Sequence, residues 1–378
     1  MMIHKVFLFL LPVLLVCGLA FFSPSSIAQE LPPHLKKTVM LNLPPGENNP
    51  RNSEGAFITL KNGNLLFIYT HFSGKSDSDN APASLTARVS ADAGETWSDQ
   101  DREIVSNEGG ENVMSVSLLR LLDGRIALFY LRKNSWQDCR PFLRFSSDEA
   151  ETWTEPLECV QDEIGYYVLN NDRVMQQEDG TLLMPLALHS QRPNGTGINA
   201  GADIFCYISK DIGKTWQRQQ QVANPDNVVL QEPGLVQLHC GTILMYIRAN
   251  GGCQFYSFSQ DNGKTWSPAE KSPLVAPLSP AVIKRIPKSD ELLAIWNHDT
   301  SKRNPFSIAV LSSDAKTILV EKTLEFSPDN SHWFCYPALH FLDDGNFITA
   351  YCAGDRRIVG LNATRLSKSS VANVRAKD

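Results

Sequence analysis

Ser90-Ala91-Asp92-Ala93-Gly94-Glu95-Thr96-Trp97 is the first of four copies of one pattern, Ser-x-Asp-x-Gly-x-Thr-Trp. The others run Ser146 to Trp153, Ser209 to Trp216 and Ser259 to Trp266, the second with Ala150 in the glycine position. Copies recur every 50 to 63 residues, a period that marks an array of one supersecondary unit. The residue types describe a self-locking turn. Asp accepts from backbone N–H groups, Gly takes positive φ, and Trp packs an apolar body beneath while its N–H seeks a partner. Asp92, Asp148, Asp211 and Asp261 are therefore read as structural.

Between the copies lies a second signal. Short polar turns separate strand-like runs at Asn62-Gly63, Asp123-Gly124, Asp179-Gly180, Cys240-Gly241, Ser289-Asp290 and Asp344-Gly345. Each is flanked as Ala56–Leu60 and Leu65–Tyr69 flank the first, which is the signature of a β-hairpin. Ser312-Ser313-Asp314 reads as a decayed fifth copy of the repeat. The unit is strand, hairpin, strand, strand, locked turn, strand. Six hairpins predict an all-β fold, a six-bladed β-propeller of four-stranded antiparallel blades, with a strand near Thr38–Leu43 completing the last blade. Five- and seven-bladed rings are the rivals.

The chain has 378 residues and a formal net charge of −6. Lys5 precedes an apolar run from Val6 to Phe22, and Ser26 and Ala28 sit at cleavage-site spacing. The expectation is a secretory signal peptide over 1–28 and a single propeller domain over 29–378, secreted or periplasmic, with no later membrane span. Cys17 lacks the small residue expected before a lipidated cysteine. A mildly acidic chain without a basic run argues against nucleic acid, and an anionic ligand must then be captured by a local arginine cluster. No C-x-x-C pair occurs, so no metal or cofactor is expected. Pairing among the seven cysteines beyond the leader is not legible.

In an up-and-down blade, the start of the first strand and the end of the second meet at one mouth. Those positions collect Arg51, Glu54, His71, Asp77 and Asp79 from the first blade and Arg140 from the second. The third gives Asn171, Asp172 and Arg173; the fourth, Glu232 and Arg248; the last two, His298, Arg303 and Tyr336. Arginine forks from several blades facing one axis suit a carboxylate. The histidines show no paired ligand spacing.

This ordered set resembles the sialidase (neuraminidase) superfamily, whose bacterial members are six-bladed propellers with such Asp-box turns. The resemblance implies three arginines on a sugar carboxylate, a tyrosine nucleophile assisted by a glutamate, and an aspartate acid/base. Glu232 in Gln231-Glu232-Pro233-Gly234 matches the glutamate. Arg248 and Arg303 match the second and third arginines, and Tyr336 ahead of the last hairpin matches the tyrosine. Asp79 matches the acid/base, with Asp77 its close rival. Arg51 departs from the family's Arg-x-Pro context, which leaves Arg173 or Arg140 as alternatives for the first arginine. The implied reaction is retaining, exo-acting release of terminal sialic acid or a related acidic sugar from a glycoconjugate or polysaccharide. Rival readings keep the propeller but change the sugar, or make it a carbohydrate-binding domain without catalysis.

Overall fold

The structure, a computed structural model, describes residues 31–355 and 362–377. The expected leader lies outside the described residues. Among the described residues the regular secondary structure is all strand except for one five-residue helix, Val371–Arg375. Residues Pro32–Asp378 form one compact unit.

Four sheets are four-stranded antiparallel meanders. The first runs Asn52–Thr59, Leu65–Phe72, Ala83–Ser90 and Arg102–Val105. A second covers Leu230–Gln237 to Glu270–Val275, and a third Val282–Arg285 to Ile318–Glu325. The last combines His332–Phe341, Asn346–Asp355 and Asn362–Ser370 with the N-terminal strand Thr38–Leu43 on its outer edge. Thr38 pairs with Lys368 and Leu43 with Thr364, so the two chain ends close the fold as the sequence predicts.

Six separate blades are not what the hydrogen bonding gives. Residues between Asn112 and Arg218 form one nine-stranded sheet. Its two antiparallel halves join where Tyr166 bridges Cys139 in parallel, with Cys139 N donating to Gly165 O at 3.0 Å. The physical reason is a broken inner strand. Tyr166–Val168 and Met175–Gln176 each pair with Leu182–Gln191, and the irregular stretch between them carries Asp172 at φ 60°. The displaced first piece reaches the neighbouring sheet.

Middle strands such as Leu292–Asn297 and Phe306–Leu311 are buried at every position, which explains their unbroken apolar runs. Each lies between two neighbouring sheets. One core cluster, for instance, joins Ala56, Ile58, Leu66 and Ile68 of the first sheet to Val113, Val116, Leu118 and Leu128 of the next.

The repeated turns lock as their residue types require. Ser90 Oγ donates to Asp92 Oδ1 at 2.8 Å and accepts from Gly94 N at 2.8 Å. Asp92 accepts from Thr96 N at 2.8 Å and Thr96 Oγ1 at 2.6 Å, and Trp97 Nε1 donates to Gly94 O at 3.2 Å. A Cβ on Gly94 would stand 2.2 Å from Ile348 Cδ1, and one on Gly213 2.4 Å from Leu143 Cδ2. Gly94 is thus seated on the preceding sheet, and Gly213 on the preceding half of the nine-stranded sheet. In the second copy Ala150 takes φ 69° and Trp153 Nε1 has no partner among the described residues. The decayed copy keeps only part of the lock, Ser312 Oγ to Asp314 Oδ1 at 2.6 Å. All seven described cysteines are unpaired.

Candidate active site

The inner strands share one device. Register shifts interrupt their pairing between Ser53 and Ala56, Met114 and Ser117, Gln231 and Gly234, and Cys335 and Ala338. Inside each bulge one non-glycine residue takes positive φ: Glu54 at 55°, Ser115 at 60°, Glu232 at 42° and Tyr336 at 52°. A bulge re-aims one side chain out of the pleat alternation. Left-handed backbone at such residues costs about 1–3 kcal/mol each and persists only where the surroundings enforce it. All four residues line the same cavity, of about 410 Å³, together with Arg51, Asp79, Arg248 and Arg303.

Arg51 is 5 % exposed, with Phe72 beneath its guanidinium at 4.4 Å. Its Nη1 donates to Asp79 Oδ1 at 2.5 Å, its Nη2 to Glu54 Oε1 at 3.2 Å and its Nε to Ser53 Oγ at 3.1 Å. Glu54 also accepts from Ser115 Oγ at 3.0 Å. Burial pushes the Glu54 carboxyl from 4.5 up to about 7, against the pull of Arg51.

Across the cavity Arg248 Nη1 donates to Glu232 Oε1 at 2.6 Å, and Asn170 Nδ2 to Glu232 Oε2 at 3.0 Å. Arg303 lies 5.6 Å from the Tyr336 ring and 5.7 Å from that of Trp333, with Nη1 3.4 Å from Cys335 Sγ. Burial, then the Glu232 carboxylate, raise the Tyr336 phenol well above its ordinary value, while Arg248 and Arg303 pull it down. The phenol is therefore neutral at neutral pH and needs a base to become a nucleophile.

The two loop aspartates separate. Asp79 lines the cavity with a side chain 61 % exposed, and its backbone O is pinned by Asn112 Nδ2 at 2.9 Å and Lys133 Nζ at 3.2 Å. Desolvation would raise its carboxyl, but Arg51 outweighs that and holds it below the usual range. Asp77 meets Arg51 only through its backbone O, at 3.3 Å, and its side chain does not line the cavity.

Six other expected residues do not join this cavity. His71 stands 3.4 Å from Asp101, and His298 is bound to Glu321 at 2.7 Å, because both end second strands on the side facing their own third and fourth strands. Arg140 is neutralised by Asp138 and Glu158, which removes it as a stand-in for Arg51. Asn171 donates to Gly55 O at 3.0 Å and tethers the inner strands. Asp172 holds Lys284, and Arg173 is buried against Tyr246, both around a different cavity further along the inner strands.

Trp333, Ser115, Met114 and Ile198 also line the site and were not singled out by sequence. One signal could have found Ser115. Glu54, Ser115, Glu232 and Tyr336 each precede the glycine of their hairpin turn, Gly63, Gly124, Gly241 and Gly345, by nine residues, and Asp172 precedes Gly180 by eight. The fifth hairpin has Ala281 at that offset, and no bulge.

Fold and cavity together define an all-β propeller with antiparallel blades and a polar cavity built from bulged inner strands. The chain belongs to the BNR repeat-like domain family, which matches residues 100–348, within the sialidase superfamily. A sialidase of Bacteroides fragilis is 26% identical over 247 residues, 61% of this chain and 40% of that protein. One of Paraclostridium sordellii is 25% identical over 239 residues, 55% of each. The chain thus spans about half the length of these relatives, or less. Among solved structures, a leech intramolecular trans-sialidase superposes with TM-score 0.72 at 13% identity, covering 90% of this chain and 71% of its own. A Dyadobacter fermentans protein of unknown function superposes with TM-score 0.71 at 18% identity, covering 89% and 99%. These likenesses speak for the fold.

Proposed function

We propose that this chain is a sialidase-type retaining exo-glycosidase that removes a terminal sialic acid, or a related acidic sugar, from glycoconjugates. The observation that carries it is the convergence of Arg51, Arg248 and Arg303, from three sheets, on one cavity that also holds Tyr336 beside Glu232. Three guanidinium groups suit a carboxylate, and a neutral phenol approaches an anionic sugar with less repulsion than a carboxylate nucleophile meets.

Each residue has a step. Tyr336 Oη attacks the anomeric carbon while Glu232 accepts the phenolic proton. The bond to the leaving oxygen breaks as Asp79 gives that oxygen its proton. Asp79 then takes a proton from water, whose oxygen displaces Tyr336 and restores the original configuration, while Glu232 returns its proton to the departing phenolate oxygen. In the free protein Asp79 is held ionised by Arg51. A substrate carboxylate that engages Arg51 shares that charge and lets the Asp79 pKa rise, so the acid becomes competent when substrate is bound.

We further read the nine-stranded sheet as two blades sharing one bridge, which makes six around the axis. In the same reading residues 1–28 are a signal peptide and 29–378 act outside the cytoplasm, secreted or periplasmic. N-terminal sequencing of the exported protein tests this; a chain still beginning at Met1 refutes it.

The decisive assay is release of the aryl group from an aryl α-sialoside. Wild type turns over, and Tyr336→Phe with its fold intact loses activity by about three orders of magnitude or more. No turnover by wild type refutes the activity, and undiminished turnover by Tyr336→Phe refutes the nucleophile.

A further inference from the structure

A second cavity, of about 490 Å³, lies further along the same inner strands and carries an excess of cations, whereas three arginines and three carboxylates balance in the first. Leu235, Val236 and Gln237 line it, whereas Gln231 and Glu232 of the same strand line the first. At ~3.3 Å per residue, Glu232 and Gln237 are ~16 Å apart along the strand. Four cationic side chains border this cavity, Arg173, Lys284, Arg285 and Lys288, against one carboxylate, Asp172. Asp172 is already engaged, accepting from Lys284 Nζ at 2.7 Å and Leu339 N at 3.1 Å.

Arg173 is the unexplained group. It is 2 % exposed, its Nη1 donates to Tyr246 Oη at 2.8 Å, and its guanidinium sits 5.2 Å from that ring. Its Nε and Nη2 have no hydrogen-bond partner, and it has no ion pair among the described residues. These two nitrogens form one edge of the guanidinium with near-parallel N–H bonds, the edge that grips an oxyanion bidentately. A buried cation without an anion costs several kcal/mol, and Arg173 is both unpaired and a residue bordering this cavity. Arg285 and Lys288 are exposed and likewise have no carboxylate partner among the described residues.

We propose that this cavity binds a small molecule through a tetrahedral oxyanion, a phosphate or sulfate group. Arg173 is its buried bidentate donor, with Lys284, Arg285 and Lys288 around the remaining oxygens. A tetrahedral group offers acceptors in the several directions from which these cations come, which a planar carboxylate does not. The volume falls in the range of small-molecule pockets, and Leu118, Val236 and Phe341 give the organic part of the ligand an apolar wall. The site is independent of the proposed hydrolase chemistry and survives its failure.

The test titrates the full chain with inorganic phosphate and, separately, sulfate, at ionic strength matched with chloride, by calorimetry and thermal melting. Wild type should bind at least one of the two saturably and melt higher in its presence; which one binds identifies the ester class. Arg285→Ala/Lys288→Ala, which removes two exposed side chains, should weaken binding about ten-fold or more. Arg173→Met should abolish binding without lowering the anion-free melting temperature. Arg303→Met, in the other cavity, should leave binding unchanged. Absence of saturable binding to wild type overturns the proposal, as does binding that is undiminished in the double variant, persists in Arg173→Met or is lost in Arg303→Met.

Discussion

Glu54 offers the sharpest quantitative test of the electrostatics, through Glu54→Gln. The carboxyl is 5 % exposed, wedged between the Arg51 guanidinium and the Ser115 hydroxyl. Burial lifts it from 4.5 to about 7 in the folded chain. At ~1.4 kcal/mol per pKa unit, that rise is worth ~3 kcal/mol. The folded state binds this proton more tightly than the unfolded chain. The stabilisation is therefore fully present below about pH 4.5 and is lost as pH rises to about 7, beyond which it is gone. Gln is isosteric, can accept from Arg51 and donate to Ser115, and does not titrate. The variant should match wild type near pH 4.5 and exceed it by up to ~3 kcal/mol at pH 8. Urea denaturation of both proteins at half-unit steps from pH 4.5 to 8.5 measures the difference directly. A stability gap that does not change with pH refutes the assignment of a raised carboxyl to Glu54.

Arg248→Met leaves the partly buried Glu232 carboxylate with only Asn170, and should cost about 1–3 kcal/mol in urea denaturation, most of it recovered in Arg248→Met/Glu232→Gln. Gly234→Ala puts a Cβ 2.3 Å from the Tyr246 ring two residues past the Glu232 bulge, so stability should fall by about 1–3 kcal/mol and kcat on the aryl sialoside should fall with it. Asp211→Ala removes three hydrogen bonds of a repeated turn and should lower stability by about 1–2 kcal/mol while leaving kcat/KM unchanged.

The architecture was legible because it repeats. Hairpin dipeptides and locked turns are local chemistry, so strand order, antiparallel pairing and closure by Thr38–Leu43 could all be anticipated. The join at Tyr166 could not, since it depends on where a broken strand leans rather than on any residue type. Site residues divide the same way. Arg248, Arg303, Glu232 and Tyr336 sit at fixed places relative to hairpins and converge as anticipated. His71, His298 and Arg140 occupy mouth positions too, but neighbouring carboxylates on their own sheets claim them. A sequence shows that a cation is near one end of a strand; it does not show which acid has already taken it.

The bulges explain why a scaffold of near-identical sheets can concentrate chemistry in one place. Regular inner strands would alternate side chains between two inter-sheet cores, as Ala56 and Ile58 on one side and Phe57 on the other do. One inserted residue in left-handed geometry breaks that alternation and frees a single side chain per sheet for the axis. The backbone cost is about 1–3 kcal/mol at each of Glu54, Ser115, Glu232 and Tyr336. The locked turns fasten sheets to one another through Gly94 and Gly263, and the two halves of the nine-stranded sheet through Gly213. The fifth hairpin tests the logic from the other side. Its equivalent residue, Ala281, has nothing to present, and its inner strand Val282–Arg285 pairs without a register shift. That sheet supplies Arg303 from a loop instead, and its inner strand supplies Lys284 and Arg285 to the opposite, cationic cavity. The distortion thus occurs at Glu54, Ser115, Glu232 and Tyr336, which reach the first cavity, and is absent from Val282–Arg285, which presents no side chain there; this ties the bulges to that cavity rather than to the fold.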